Sequence, residues 1–280
     1  MIRSLLYVPV SSEKFLAHAH ERGADALILD LEDAVAPQQK LAARARLHDA
    51  VASVGRNGAK VFVRINAGDL ALDDAAAAFR AGAFGLFVPK VRAPDDVTAI
   101  DTHLDDLGSR STVLVPMLED PGAVLDARAI GAASPRVFAL VTGSEDLATA
   151  MGAEPNPEVL RLPKLLVHLA AKALGLFSFG MLRTVAEFRD LEAIKQTARE
   201  ARAFGFDGAT CIHPSIVPIL NEAFAPTPDE IARARRLLAA FEQAKAAGQG
   251  AFEFEGKMVD EPVVARARAV LARAEPEPRE

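Results

Sequence analysis

Eight short apolar runs succeed one another between residues 5 and 214. They are LLYVP (5–9), ALILDLE (26–32), KVFVRIN (60–66), GLFVPKV (85–91), TVLVPML (112–118), VFALVTG (137–143), GLFSFG (175–180) and GATCIHP (208–214). Within most of them Val, Ile, Leu and Phe follow one another with little polar alternation, the pattern of parallel strands covered on both faces. Alanine-rich stretches with helical spacing lie between them, such as EKFLAHAHERGA, QQKLAARARLHDAVASVG and DLEAIKQTAREARAFG. Gly23, Gly82 and Gly205 each stand just ahead of an apolar run, where a left-handed residue closes a helix. Eight alternations of strand and helix predict a single α/β domain, a (β/α)8 TIM barrel, over residues 1–247. A doubly wound open sheet would carry fewer units and a glycine-rich first turn. The chain has no G-x-G-x-x-G or phosphate-loop motif. Residues 248–280 read as an appendage to a finished barrel: Gly248, Gly250 and Gly256 mark a mobile loop, 261–274 a terminal helix, and the final EPEPRE a frayed end.

Charge and cysteine content narrow the function. With a net charge of −6, a pI near 5.6 and no run of Lys or Arg, nucleic acid and anionic membrane are poor partners. Small basic patches for a phosphorylated cofactor are still allowed. The single cysteine, Cys211, excludes an internal disulfide and a cysteine-based zinc cluster; its strand setting makes it a small buried hydrophobe. MIRSLLYVPVSSEKF has too short an apolar segment for a signal peptide, and no stretch approaches the roughly 20 apolar residues of a membrane span. A cytoplasmic location is the expectation.

In such a barrel the active site lies at the C-terminal ends of the strands, so the residues that follow each run carry the chemistry. The second run ends in Glu32 and Asp33, the third in Arg64 and Asn66, the fourth in Lys90, and the fifth in Glu119 and Asp120. Ser144, Glu145 and Asp146 follow the sixth, and His213 closes the eighth. Acids dominate this rim, and several carboxylates on one rim need a cation. Mg²⁺ takes oxygen ligands, often only one or two of them protein carboxylates. Glu119 and Asp146, at neighbouring strand ends, are the candidate pair, with Glu32 and Asp33 holding metal-bound waters. Arg64 either stabilises an oxyanion on the substrate or neutralises Glu32 or Asp33 in a structural salt bridge. Asp30 is expected to hydrogen-bond within the barrel. Asp120, ahead of Pro121, reads as a helix N-cap. Lys90 is either a participant or a solvated rim lysine, and His213 either catalytic or a core histidine satisfied by backbone. His18, His20, His48, His103 and His168 fall in helical stretches and need no special role.

RSLLYVPV, LILDLEDAVAPQQKLAAR, VFVRIN, LFVPKV, GSEDLA, GFDGATCIHPSIVPILNEAFAPTPDE and GKMVDEPVVARARAVL, in that order over nearly the whole chain, resemble the citrate lyase beta-subunit family of CoA-ester lyases within the HpcH/HpaI aldolase superfamily. The resemblance implies a Mg²⁺-dependent barrel that makes or breaks a carbon–carbon bond beside a thioester, acting on an acyl-CoA and a 2-oxo acid. It implies Glu119 and Asp146 as metal ligands, Glu32 and Asp33 around them, and Arg64 as the substrate-activating arginine. By the same resemblance GKMVDEP is a lid donated by a neighbouring subunit of a trimer or dimer of trimers, bringing Asp260 into that neighbour's site. Arg3, Lys14 and Lys90 would face the CoA ester. From the residues alone, Asp260 ahead of Pro262 also reads as a helix N-cap. The chain departs from the family pattern where Asp120 follows Glu119 and where the seventh run ends without an acid, at Ser178 and Arg183. These departures put substrate identity in question more than fold or metal. Two rival functions are an aldolase of free 2-oxo acids and a lyase subunit working on carrier-bound acyl groups.

Overall fold

The computed structural model describes residues 1–184, 186, 188–248 and 250–274. Each of the eight runs contains one strand: β1 (Ser4–Pro9), β2 (Ala26–Asp30), β3 (Lys60–Arg64), β4 (Gly85–Val91), β5 (Val113–Leu118), β6 (Ala139–Thr142), β7 (Phe177–Phe179) and β8 (Ala209–Cys211). Neighbours pair in chain order and in parallel, and β8 returns to pair with β1. Between β7 and β8 the ladder shrinks to one bridge, Phe179–Gly208, reinforced by the Gly180 amide on the Gly208 carbonyl at 2.9 Å. The ring is therefore nearly closed, a (β/α)8 barrel. Gly208 has no room for a side chain, since a Cβ there would run into the Ile2 and Arg3 carbonyls.

The continuous apolar runs have two destinations, as the two-residue period of a strand requires. Leu5, Ile28, Phe62, Phe87, Val115, Met117, Val141 and Phe179 form one buried cluster, which fills the barrel; Phe62 packs edge-on against Phe87 with ring centres 5.4 Å apart. Alternate residues such as Leu27, Leu29, Val61, Val63 and Leu86 join the helices in a second, larger cluster. Because the strands run the same way, every polar residue that ends a run emerges on one face. Gly205 closes the Leu191–Phe204 helix in the left-handed region, φ +97°.

Among the described residues the chain packs as two compact units, Ile2–Phe224 and 225–274, the latter with Met1. The division falls after Phe224, whereas the sequence suggests one after residue 247. The Pro228–Ala246 helix buries Ala234, Leu237, Phe241 and Ala244, and its core is shared with Val259, Val264 and Ala267 of the terminal segment. The glycine-flanked loop is in fact a β-hairpin, β9 (Phe252–Phe254) with β10 (Lys257–Val259). Glu255 and Gly256 form its two-residue turn, both with positive φ (51° and 73°), as the tight turn matching strand twist demands. The Glu255 carboxylate is paired with Arg233 (2.8 Å) and Arg236 (2.9 Å). The helix Glu261–Ala274 follows, as expected; the EPEPRE end lies outside the described residues. Among the described residues no helix is long and apolar enough to cross a membrane.

Candidate active site

The ends of β2 and β3 are joined by an arginine set among acids. Arg64 forks onto Asp30, with Nε on Oδ1 at 2.8 Å and Nη2 on Oδ2 at 2.7 Å. Its Nη1 lies 3.0 Å from Glu32 Oε2 and 3.3 Å from Asp33 Oδ2. The Tyr7 ring sits 5.0 Å beneath the guanidinium. Burial works against the Arg64 charge, but the hydrogen bonds and charges of Asp30 and its neighbours outweigh it and raise the pKa. Arg64 is thus fully cationic and preorganised. Asp30 also accepts the Glu32 amide (2.9 Å) and the Ala34 amide (3.3 Å), folding the chain back after the strand. That is the barrel-internal role expected for Asp30. The carboxylate of Glu32 bridges Arg64 to Lys90 Nζ (3.2 Å). It is only 4% exposed and accepts no well-aligned hydrogen bond; burial is the main reason its pKa is raised.

β4 and β5 supply the next acid. The register of β4 shifts between Val88 and Val91, and Lys90 inside this irregularity has φ +54°, uncommon for a residue with a side chain. This conformation directs the Lys90 amide to Glu119 Oε2 at 2.8 Å. Glu119 is 6% exposed. Burial, opposed by that amide and reinforced by the charges of Glu32 and Asp146, pushes its pKa up to about 7. The carboxyl also needs the bare backbone of Gly143: a Cβ there would collide with Glu119 Oε1 and stand 2.6 Å from its Cγ.

The Ser144–Ala150 helix follows β6 and presents Glu145 and Asp146. Both lie with Glu119, Asp30, Asp33 and Arg64 around a cleft of about 450 Å³ floored by Tyr7, Met117 and Val141. Glu145 accepts a short hydrogen bond from Thr184 Oγ1 after β7. Among the described residues no three carboxylate, imidazole or thiolate groups converge on one point. A cation placed between Glu119 and Asp146 would thus take two protein ligands, the habit of Mg²⁺. A buried carboxyl whose charge is disfavoured by its own neighbours, cradled against a glycine, fits such an ion.

Glu32, Asp33, Arg64, Lys90, Glu119 and Asp146, all expected at the rim, are found together there. Lys14 is exposed at the start of the helix after β1. Arg3 is a correction: it precedes β1, at the opposite end of the barrel, and its guanidinium grips Asp25 at 2.7 and 2.8 Å. Asp120 caps the Pro121–Leu125 helix through the Gly122 amide (2.8 Å), as expected. His213 is a second correction, being exposed instead of core: it caps the 214–216 turn and stacks on Phe188 with ring centres 5.1 Å apart. Cys211 is buried, with its thiol pushed up to about 12 by burial. Asp260, in the terminal unit, is exposed where the Glu261–Ala274 helix begins, its carbonyl accepting the Val263 and Val264 amides.

The sequence reading missed Tyr7, Gly143 and the buried Lys164, whose Nζ donates to the Arg183 carbonyl at 3.1 Å. Burial lowers the Lys164 pKa to about 8. The helical register did mark this lysine, for it falls in step with buried Leu160, Val167, His168 and Ala171.

Fold and rim together define a (β/α)8 barrel with an acidic, cation-ready mouth and an arginine held beside it. The family model described as HpcH/HpaI aldolase/citrate lyase matches residues 3–214, and the chain belongs to that family of aldolases and CoA-ester lyases. It is 38% identical over 277 residues to a (3S)-malyl-CoA thioesterase of Cereibacter sphaeroides, covering 98% of this chain and 94% of the relative. It is 34% identical to the citrate lyase beta subunit of Escherichia coli over 98% and 93% of the two chains. Among solved structures it superposes on CitE of Mycobacterium tuberculosis, determined with magnesium, acetoacetate and coenzyme A. The TM-score is 0.78 at 31% identity, over 97% of each chain.

Proposed function

We propose that the protein is a Mg²⁺-dependent carbon–carbon lyase that splits a β-hydroxyacyl-CoA such as malyl-, citramalyl- or citryl-CoA into a 2-oxo acid and an acyl-CoA, or runs the reverse condensation. The observation that carries this reading is the buried Glu119, facing Asp146 across a cleft that also holds Arg64. Glu119 and Asp146 would hold the ion, which would supply Lewis acidity and a template for a hydroxy or oxo acid. Cleavage leaves the bonding electron pair on the α-carbon of the thioester, as an enolate. Arg64 is the fixed cation suited to that oxyanion; losing such a donor typically costs about 10²–10³ in rate. Its partners Asp30, Glu32 and Asp33 keep it oriented between turnovers. In the condensing direction a base must take a proton from the acyl-CoA α-carbon, and Asp260 of a neighbouring subunit in a homotrimer is assigned that role. Lys14 and Lys90 are assigned to the CoA ester.

A second reading, hydrolysis of the thioester, is favoured by the name of the Cereibacter sphaeroides relative. Action on a carrier-bound acyl group is suggested in the same way by the Escherichia coli relative. One assay separates them: malyl-, citramalyl- and citryl-CoA are each incubated with Mg²⁺, and 2-oxo acid and free thiol are followed independently. Oxo acid without thiol is the expected result. Thiol without oxo acid means hydrolysis, and neither product from any CoA ester moves the substrate to a carrier protein.

A further inference from the structure

Behind the rim, on residues that the proposed chemistry does not use, lies a continuous polar chain. Lys40 and Arg44 stand one turn apart in the short helix Lys40–Ala45, so their side chains leave the same face. Lys40 Nζ donates to the Glu32 carbonyl at 3.2 Å, to the Leu31 carbonyl at 3.4 Å, and by a short contact to Asn66 Oδ1. Asn66 passes the connection on: its backbone amide (2.9 Å) and its Nδ2 (2.7 Å) both donate to Asp74 Oδ2. Asp74, fully buried, is neutralised on its other oxygen by Arg44 Nε at 2.5 Å. The amide orientation of Asn66 is dictated by these neighbours, because the flipped amide would set an NH₂ against an ammonium and an oxygen against a carboxylate.

The chain ties two strand ends together from behind. Asn66 lies two residues beyond Arg64 on the β3 side, and the carbonyls held by Lys40 belong to the β2 segment that carries Glu32. The Glu32 carboxylate has ion pairs to Arg64 and Lys90 but no aligned hydrogen bond of its own. Those ion pairs hold the carboxylate end, while the backbone beneath it fixes where the side chain begins. That backbone is gripped by Lys40.

We propose that Lys40 and Asn66, backed by Asp74 and Arg44, are positioning residues that fix the Leu31–Glu32 backbone and through it hold Glu32 against Arg64. The kinetic part rests on the lyase reading given above. A lysine that merely tied off two strand-end carbonyls would affect stability in the same way whatever residue stood at 32. A positioning lysine acts only while Glu32 has a charge to place.

The test compares Lys40→Met and Lys40→Arg, each made alone and combined with Glu32→Gln. Lys40 is only half-buried, so the variants are expected to fold, and melting temperature checks this. Amide hydrogen exchange of peptides covering residues 31–36, in protein without substrate or metal, should speed up about 10-fold or more in Lys40→Met, with barrel-strand peptides unchanged. In the lyase assay Lys40→Met should lower kcat about 10- to 100-fold with little change in KM, as loss of an orienting partner does. Lys40→Arg should recover most of that loss. In the Glu32→Gln background, Lys40→Met should change kcat by less than about 2-fold, since coupled residues are non-additive. Unchanged exchange in residues 31–36 overturns the proposal, and so does a kcat loss of equal size in both backgrounds. A wild-type protein inactive on all three thioesters overturns the CoA-ester substrate reading instead, and the exchange measurement then decides the positioning role by itself.

Discussion

Replacing Gly143 with alanine tests the geometry of the site through one methyl group. The backbone there has φ −81° and ψ 107°, values any residue adopts, so glycine is required only for space. The new Cβ would stand 2.6 Å from Glu119 Cγ and 2.8 Å from its Cδ, far inside contact distance. Glu119 has nowhere to retreat while its carboxyl is held by the Lys90 amide at 2.8 Å. Overpacking of this kind costs about 1–3 kcal/mol. The stiffer unfolded chain returns about 0.4–1 kcal/mol, and loss of glycine at the N-cap takes back about 0.5–1 kcal/mol. The net is a destabilisation of about 1–3 kcal/mol. For a unit of this size that is a fall in melting temperature of roughly 2–12 °C. Displacing Glu119 should also weaken Mg²⁺ binding about 10- to 100-fold by calorimetry. The decisive comparison is the Glu119→Ala background, where every clashing atom is gone. There Gly143→Ala should shift the melting temperature by about 1 °C or less. An equal loss in both backgrounds would mean that the methyl group meets something other than Glu119, and the cradle would have to be abandoned.

Three further outcomes follow from the same geometry. Glu119→Gln and Asp146→Asn should each abolish Mg²⁺ binding while the barrel stays folded; calorimetry showing wild-type affinity in both would move the metal elsewhere. Stability of the metal-free protein should carry a pH-dependent component from Glu119: its folded pKa is raised from 4.5 to about 7, so the penalty is absent below the lower value and complete above the higher. At about 1.4 kcal/mol per unit the decline between pH 5 and 8 is at most about 3 kcal/mol, and denaturation curves of wild type and Glu119→Gln should differ by that slope; parallel curves refute it. If Asp260 serves a neighbouring subunit, Asp260→Ala and Arg64→Ala, each nearly inactive, should regain activity when co-refolded; proven subunit exchange without recovery would return Asp260 to its own chain or to a capping role.

All eight strands were legible because burial on both faces leaves an unmistakable apolar run, and strand polarity then fixes which residues share a rim. Arg3 shows what happens when that polarity is set aside. It stands before β1 and so belongs to the far end of the barrel, where Asp25 holds it. The hairpin at 252–259 was obscured because its glycines read as looseness, although FEF and the Glu255–Gly256 pair carry strand alternation and a tight-turn signature. The grouping of the Pro228–Ala246 helix with the terminal unit, and the Lys40–Asn66–Asp74 chain, depend on contacts between distant segments, which no local pattern encodes. Lys164 was within reach. It occupies an apolar position of a helical stripe, and a charge in that register announces a buried cation.

The features hardest to read are also the costly ones, and they meet at one place. Lys90 adopts a backbone conformation that L-residues avoid, Glu119 is a carboxyl buried beside two other acids, and Gly143 leaves the space that the Glu119 side chain occupies. Strain of the Lys90 kind costs on the order of 1–3 kcal/mol and persists only where the surroundings over-determine it. Here they do: the β4–β5 register shift presents the Lys90 amide to Glu119, while the Lys90 side chain reaches back to Glu32. Backbone and side chain of one residue thus address two different acids, one lining the cleft and one paired with Arg64. In ordinary strand geometry the Lys90 amide would lie in the sheet plane, directed at a neighbouring strand's backbone; at φ +54° it meets the Glu119 carboxylate instead. The strain at residue 90 is thus accompanied by two contacts at the site, the amide on Glu119 and the ammonium on Glu32.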